Sequence, residues 1–413
     1  MEDLLYLKKS ADNRQHEALK MKFLEDIFHN VKAPFEKGGK YEKYGNVLVA
    51  IDAFETFLFT PKEVTGRGVQ IKDGIDLKRT MSTVILAMVP CLLFGMYNAG
   101  FQHFRAQGIM DAPFWEMVAM GAWKVLPIVV VSYGVGLGIE FAFAMKKGHS
   151  VEEGFLVSGM LIPLILPIDI PLWMVAVATA FAVVFGKEVF GGTGMNIMNV
   201  ALTARAFLFF AYPTFMSGDK VWVLGASDAA GTPDAFSGAT ILGELANNVP
   251  VNPNVYSVSD MFFGFIPGSI GETSTFAILI GAAILLFTGI GSWRVMLSAV
   301  VGASVMGLVF NVIGLNALMQ FPWWQHLIVG GFAFGVVFMA TDPVTAAQTN
   351  TGKLIYGFLI GIFAIMIRVF NPAYPEGIML AILLMNVMAP LIDHYVVQAN
   401  ISRRLKRATA KTA

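Results

Sequence analysis

Apolar runs long enough to cross a bilayer recur along the chain from residue 77 onward, separated by short polar interruptions. A membrane-crossing helix needs about 20 mostly apolar residues. Runs of this kind lie near 77–97, 122–145, 154–169, 171–189, 198–213, 273–292, 295–314, 324–340, 354–371 and 376–397. The third is short and contains Pro163 and Pro167, and the fifth contains Arg205. The pattern predicts an all-α polytopic membrane protein of about ten transmembrane helices with both termini on one side. The stretch 214–272 divides them five and five, so a duplicated half with an odd number of crossings is inverted in the membrane. The chain then reads as an N-terminal cytoplasmic or interfacial segment (1–76), a first five-helix repeat (77–213), an outer loop (214–272), a second five-helix repeat (273–397) and a basic cytoplasmic tail (398–413).

Composition agrees with this reading. Hydrophobic residues make up 56% of the 413 and charged ones only 14%, against about 25% charged in soluble domains. Of the 29 Lys and Arg residues, fourteen precede residue 80 and five follow residue 402. Lys146, Lys147, Lys187, Arg294 and Lys353 fall to inner loops or helix ends if the termini are cytoplasmic, whereas outer ends keep Arg105, Lys124, Lys220 and Arg368. That asymmetry is what the positive-inside rule requires.

Basic and acidic residues cancel at 29 each, so no overall field favours nucleic acid. The single cysteine, Cys91, excludes a disulfide framework, a Cys-ligated zinc site and an iron–sulfur cluster held by this chain alone. The six histidines are scattered, and no resident metal site is expected.

Residues 1–46 alternate charged and apolar positions, unlike a secretory signal. Within them Leu19, Phe23, Leu24, Ile27, Phe28 and Val31 share one helical face. Such a helix fits the membrane interface, a partner, or the protein's own cytoplasmic face.

Each half has a Gly- and Asn-rich break, at 190–199 and at 341–352, though the two follow different spans in order. Paired breaks of this kind point to a central site in inverted-repeat membrane folds, and polar cytoplasmic loops would look the same. Ionisable residues inside spans are costly and therefore functional candidates. Glu140 lies in the second span and Asp393 late in the tenth, while Asp52 lies in an apolar stretch before the first. Glu140 equally suits an internal ion pair, and Asp393 a helix end facing interfacial water. Phe332, Phe334 and Phe338 cluster on the eighth span, either as packing or as a cation constriction.

The outer loop holds Asp234-Ala-Phe-Ser-Gly-Ala-Thr240. Gly238 and Ala239 would leave the backbone bare, so that a large group can approach the Thr240 hydroxyl, a candidate phosphoester acceptor. Together with Gly186-Lys-Glu-Val-Phe-Gly-Gly-Thr-Gly194, Arg205-Ala-Phe-Leu-Phe-Phe-Ala-Tyr-Pro213, Ile266-Pro-Gly-Ser-Ile-Gly-Glu272, Phe338-Met-Ala-Thr-Asp-Pro343 and Arg368-Val-Phe-Asn-Pro-Ala-Tyr-Pro-Glu-Gly377, this sequence resembles the family of B-type membrane subunits of the sodium-translocating NADH:quinone oxidoreductases (Nqr complexes). The resemblance runs from about residue 22 to residue 407.

The resemblance implies FMN joined to Thr240 through a phosphoester by a flavin transferase, with Asp234, Ser237, Gly238 and Ala239 as its recognition sequence. It implies a non-covalent riboflavin at Asn196 and Asn199, residues whose amides equally cap or stitch helices. Glu140, Asp393 and Asp52 match acidic positions tied to sodium uptake, and Phe334 and Phe338 join them as candidates for the cation pathway. Gly136 and Leu137 match the quinone region, for ubiquinone or menaquinone. Leu137, Met195, Val200 and Asp52 depart from the family's usual glycine, arginine, proline and glutamate.

The function implied is that of one component of a complex in the bacterial inner membrane, passing electrons from NADH to quinone while Na⁺ leaves the cytoplasm. Partners implied are an NADH-oxidising subunit with flavin and iron–sulfur groups, since no dinucleotide fingerprint follows a strand here, and a second subunit with covalent FMN. Two alternatives stand beside it. One is the related D-type membrane subunit of the Rnf ferredoxin:NAD electron-transport complex. The other is a channel or transporter without redox chemistry.

Overall fold

The computed structural model describes residues 27, 29–35, 47–48, 51, 55, 76–109, 111–147, 154–224, 238–252, 255–371, 374 and 376–412. Asp52, Asp234, Ser237 and most of the amphipathic face from Leu19 to Phe28 lie outside them. Contacts divide the chain into two units. The smaller comprises 1–78 and 138–152. Its described parts include a Lys32–Glu55 ion pair, a short 3₁₀ turn at Ala33–Phe35 and the last ten residues of the helix that ends at Lys147.

The larger unit, 79–137 and 153–413, holds nearly all of the membrane helices. Along the described chain, the segments that match the expected spans are α1 (Leu77–Ala106), α2 (Phe114–Lys147), α3 (Phe155–Leu164), α4 (Leu172–Gly186) and α5 (Val200–Ala211). After the 212–274 region come α6 (Thr275–Phe287), α7 (Trp293–Ile313), the broken segment α8 (Gln325–Ile328, Phe332–Phe334 and a π-turn Gly335–Met339), α9 (Asn350–Phe370) and α10 (Ile378–Thr412). Six of these are long and apolar enough to cross a membrane, and α3, α5 and α6 are shorter apolar helices. Among the described residues there is no strand. The chain is an all-α polytopic membrane protein.

Helices here approach through small residues, because burying apolar surface gains little inside lipid and close van der Waals packing must replace it. A Cβ on Gly302 of α7 would lie 2.1 Å from the Phe358 carbonyl of α9, and one on Gly361 of α9 would lie 2.1 Å from the Ala299 carbonyl of α7. Facing outward are large apolar side chains such as Leu86, Leu93, Trp123, Leu297 and Val312, as lipid contact requires.

The breaks at 190–199 and 341–352 follow α4 and the α8 segment, the fourth and third of their stretches, as the order of the apolar runs expects. In order along the chain, the counterpart of the break after α8 is 165–171, which follows α3, and not 190–199, which follows α4. The earlier break carries no polar signature in the sequence, because Leu164–Ile170 is apolar throughout apart from Asp169. Its freed backbone is paired with a segment about a hundred residues later: Gly271 N donates to Leu164 O at 2.7 Å and Ile270 N to Leu166 O at 3.2 Å. In α8, Gly330 and Gly331 adopt φ of +70° and +69°, a left-handed conformation that stops a helix and favours glycine.

Candidate functional site

Thr240 opens a short helix, Ile241–Ala246, as its N-cap; its Oγ1 accepts from Gly243 N at 3.1 Å. That leaves the hydroxyl hydrogen to point elsewhere. Thr240 is half-buried and lines two neighbouring cavities. The outer one includes Ser217, Asp219, Trp222 and Asn247, with about 710 Å³ of empty space, mouth included. The inner one runs past Ser269, Glu272, Gly330 and Gly331. Glu376 lines both.

Behind these cavities is a buried ionic cluster. Arg205, 2% exposed, donates from Nη1 to both Glu272 carboxylate oxygens at 2.9 and 3.1 Å. From Nη2 it reaches Glu376 Oε2 and Ser269 Oγ. Arg368, fully buried, spends its guanidinium on backbone: Nε on Glu376 O, Nη1 on His326 O, and Nη2 on Val329 O and Gly330 O. The last three carbonyls are freed where α8 breaks, so one α9 side chain holds the broken end. Two arginines face two glutamates, which is the arrangement that makes burial of such charges tolerable.

A second polar interior lies between the breaks that follow α4 and α8. Asn196, Asn199, Thr193, Lys187, Phe338 and Asp342 line a cleft with about 800 Å³ of empty space, mouth included. Asn199 is the N-cap of α5: its Oδ1 accepts from Ala201 N and Leu202 N at 3.0 and 3.2 Å. Its Nδ2 donates to Asp342 Oδ2 at 3.4 Å. Asp342 also accepts from Thr345 Oγ1 at 3.0 Å and Val344 N at 3.1 Å. Asn386 of α10, oriented by its surroundings, accepts from Asn199 N at 3.1 Å and donates to Tyr356 Oη at 2.7 Å. Asn196 is less committed, with Nδ2 donating to Met198 O at 3.2 Å. The amides and the Asp342 carboxylate therefore present donor and acceptor edges beside apolar walls such as Leu161 and Val84, a donor set that suits the polar edge of an isoalloxazine.

A model of the family described as NQR2, RnfD, RnfE matches residues 64–402. Relatives named as the B-type subunit of Na(+)-translocating NADH-quinone reductase share this sequence over nearly its whole length. The one from Chromohalobacter salexigens is 50% identical, covering 94% of this chain and 97% of its own. That from Ectopseudomonas mendocina is 49% identical, with 93% and 98% covered, and that from Stutzerimonas stutzeri 47%, with 93% and 98%. The chain belongs to the NQR2, RnfD, RnfE family.

As a member of that family, the chain places its remaining candidate residues in distinct surroundings. Gly238 and Ala239 are buried, and a Cβ on Gly238 would sit 2.5 Å from Asp219 O. The bare backbone at Gly238 lets the chain's own loop at Asp219 come close. Asp393 caps the second break: Oδ2 accepts from Gln348 N at 2.6 Å, and Oδ1 from Thr349 N at 3.0 Å and Thr349 Oγ1 at 2.6 Å. Glu140 is buried in the α2 portion assigned to the smaller unit. Gly136 is covered by the Phe155 ring, 1.9 Å from where its Cβ would lie, and Leu137 is half-exposed. Phe334 and Phe338 are buried with ring centroids 4.9 Å apart. Phe338 sits on the π-turn and lines the cleft.

Arg205, Glu272, Arg368, Glu376 and Asp342 are not among the sequence candidates. The signal is present: an arginine inside an apolar span demands a buried carboxylate partner. The pairing itself joins residues 67 and 171 positions apart, which periodicity does not report.

Proposed function

We propose that this chain is the membrane component of a sodium-translocating NADH:quinone reductase, carrying FMN as a phosphoester on Thr240 and riboflavin in the Asn196–Asp342 cleft. The observation that carries the reading is Thr240 itself. The hydroxyl the family motif selects lines two cavities and accepts from Gly243 N, with no bond donated by it among the described residues. Bound there, flavins would supply one-electron transfer between soluble donors and a quinone in the membrane.

The chain's residues would do the rest. Arg368 and Arg205 hold the walls of the Thr240 cavities, and Asn199 and Asp342 fix the cleft where the breaks meet. Sodium is cargo, and hard carboxylate oxygens suit it. Glu140, Asp393 and Asp52 are its proposed acidic stations, with Phe334 and Phe338 as a constriction and Gly136 and Leu137 near the quinone. The termini face the cytoplasm and the Thr240 loop faces outward, giving each five-segment half the opposite orientation. NADH oxidation belongs to partner proteins with flavin, a second covalent FMN and iron–sulfur groups, and a flavin transferase loads Thr240.

In proteoliposomes of the whole complex, NADH oxidation should drive Na⁺ uptake. Thr240→Ala should abolish quinone reduction and the covalent flavin fluorescence on a denaturing gel while the chain still inserts. Sodium flux without an electron donor, unaffected by Thr240→Ala, would instead indicate a passive transporter. Glu140→Ala should raise the apparent KM for Na⁺ severalfold; an unchanged sodium titration would remove Glu140 from the path.

A further inference from the structure

Among the described residues, Glu376 is the one ionisable side chain that lines both cavities sharing Thr240. Its neighbours are unequal. Arg205 is chelated by Glu272 through two hydrogen bonds and touches Glu376 through one Nη2 contact. Glu272 is sealed from behind, since a Cβ on Gly331 would lie 2.7 to 2.9 Å from its carboxylate. Arg368 faces Glu376 from α9 but bonds its backbone carbonyl, not its carboxylate. Tyr374 Oη donates to Glu376 Oε2 at 3.5 Å, and Asp219 stands across the outer cavity in an exposed position. The two arginines are already balanced by Glu272 and Glu376, so any further negative charge entering these cavities is uncompensated in a medium that screens charge poorly.

We propose that Glu376 is the proton-accepting residue that compensates the charge added when the group carried by Thr240 is reduced. The inference rests on the covalent flavin proposed above. One electron arrives from a partner flavoprotein; one proton comes from water at the outer face, through the cavity lined by exposed Asp219 and Asn247. An O–H bond forms on the Glu376 carboxylate, and the net charge of the pocket is unchanged. On reoxidation the electron leaves towards the next acceptor and the proton returns to water. Two features favour Glu376 over Glu272: its access to both cavities, and its single rather than twofold bond to Arg205. A negative charge added to the cavities that Glu376 lines favours the neutral form of its carboxyl.

The test is a spectroelectrochemical titration of the purified whole complex between about pH 6 and 9, comparing wild type with Glu376→Gln and Glu376→Asp. Covalent flavin on Thr240 is first verified by in-gel fluorescence. In wild type, the equilibrium constant for one-electron reduction should change by an extra factor of ten per pH unit relative to Glu376→Gln, about 59 mV. Glu376→Asp should restore the slope with its bend moved in pH. Coincident slopes in wild type and Glu376→Gln, with flavin attached, overturn this role alone. Absence of the covalent flavin from wild type overturns it together with the reading beneath it. Should Glu376→Gln fail to assemble, an unmoved bend in Glu376→Asp overturns the role.

Discussion

Around Thr240, buried charges are answered by opposite charges or carbonyls within hydrogen-bond reach, and the cavities are bounded by an arginine–glutamate cluster. Between Asn196 and Asp342 the polar groups are mostly neutral amides and hydroxyls around an open cleft. The first region carries charge where the α8 backbone is broken and its carbonyls need donors. Arg368 alone supplies donors to four carbonyls, three of them at the end of the α8 turn. The second region closes its breaks with helix caps, Asn199 for α5 and Thr349 for α9, and caps consume only part of each side chain. A region held by charge pairs has little chemistry left over for a ligand, except where one member is half-committed. A region held by caps keeps spare edges.

The largest expected effect falls on the charged region. Arg368→Ala removes the donors to His326, Val329, Gly330 and Glu376 carbonyls and leaves the glutamates less balanced. It should cost about 3–5 kcal/mol, read as a lowered unfolding midpoint of the chain in detergent. An unchanged midpoint would erase the distinction between the two regions. In the cleft, Asn199→Ala loses the α5 cap and should cost about 1 kcal/mol, together with part of the retained non-covalent flavin. The smallest effect on stability belongs to Asn196→Ala, within about 0.5 kcal/mol, because Asn196 makes a single local bond to Met198 O. Retained flavin should nevertheless fall severalfold. Equal flavin content in Asn196→Ala and wild type would show that the spare amide edge does not serve a ligand.

The difference between the regions also explains what the sequence could reveal. The spans were legible because lipid imposes a length and a composition on each helix; nine of the ten apolar runs hold a continuous helix, though α10 extends past its run to Thr412. Asn199 was legible as a cap because an asparagine precedes an apolar helix. The break in α8 was not. Residues 324–340 read as one apolar run, and what stops the helix is a pair of left-handed glycines with an arginine some 40 residues later. Arg205 resembles a flaw in a span, since its carboxylates come from distant segments. Thr240 stands out through its motif, whereas the cavities around it depend on Glu376, Gly330 and Asp219, which share no local pattern with it. The space beside Gly238 is not legible either, because a missing side chain does not say which neighbour fills its place.

Attachment of FMN at Thr240 is tested most directly by intact and peptide mass spectrometry of the chain expressed in membranes together with its flavin transferase. An FMN-sized mass addition confined to the peptide carrying Thr240, and absent from Thr240→Ala, is the predicted result. An unmodified Thr240 peptide under those conditions would contradict the redox assignment and leave a membrane transporter without flavin chemistry.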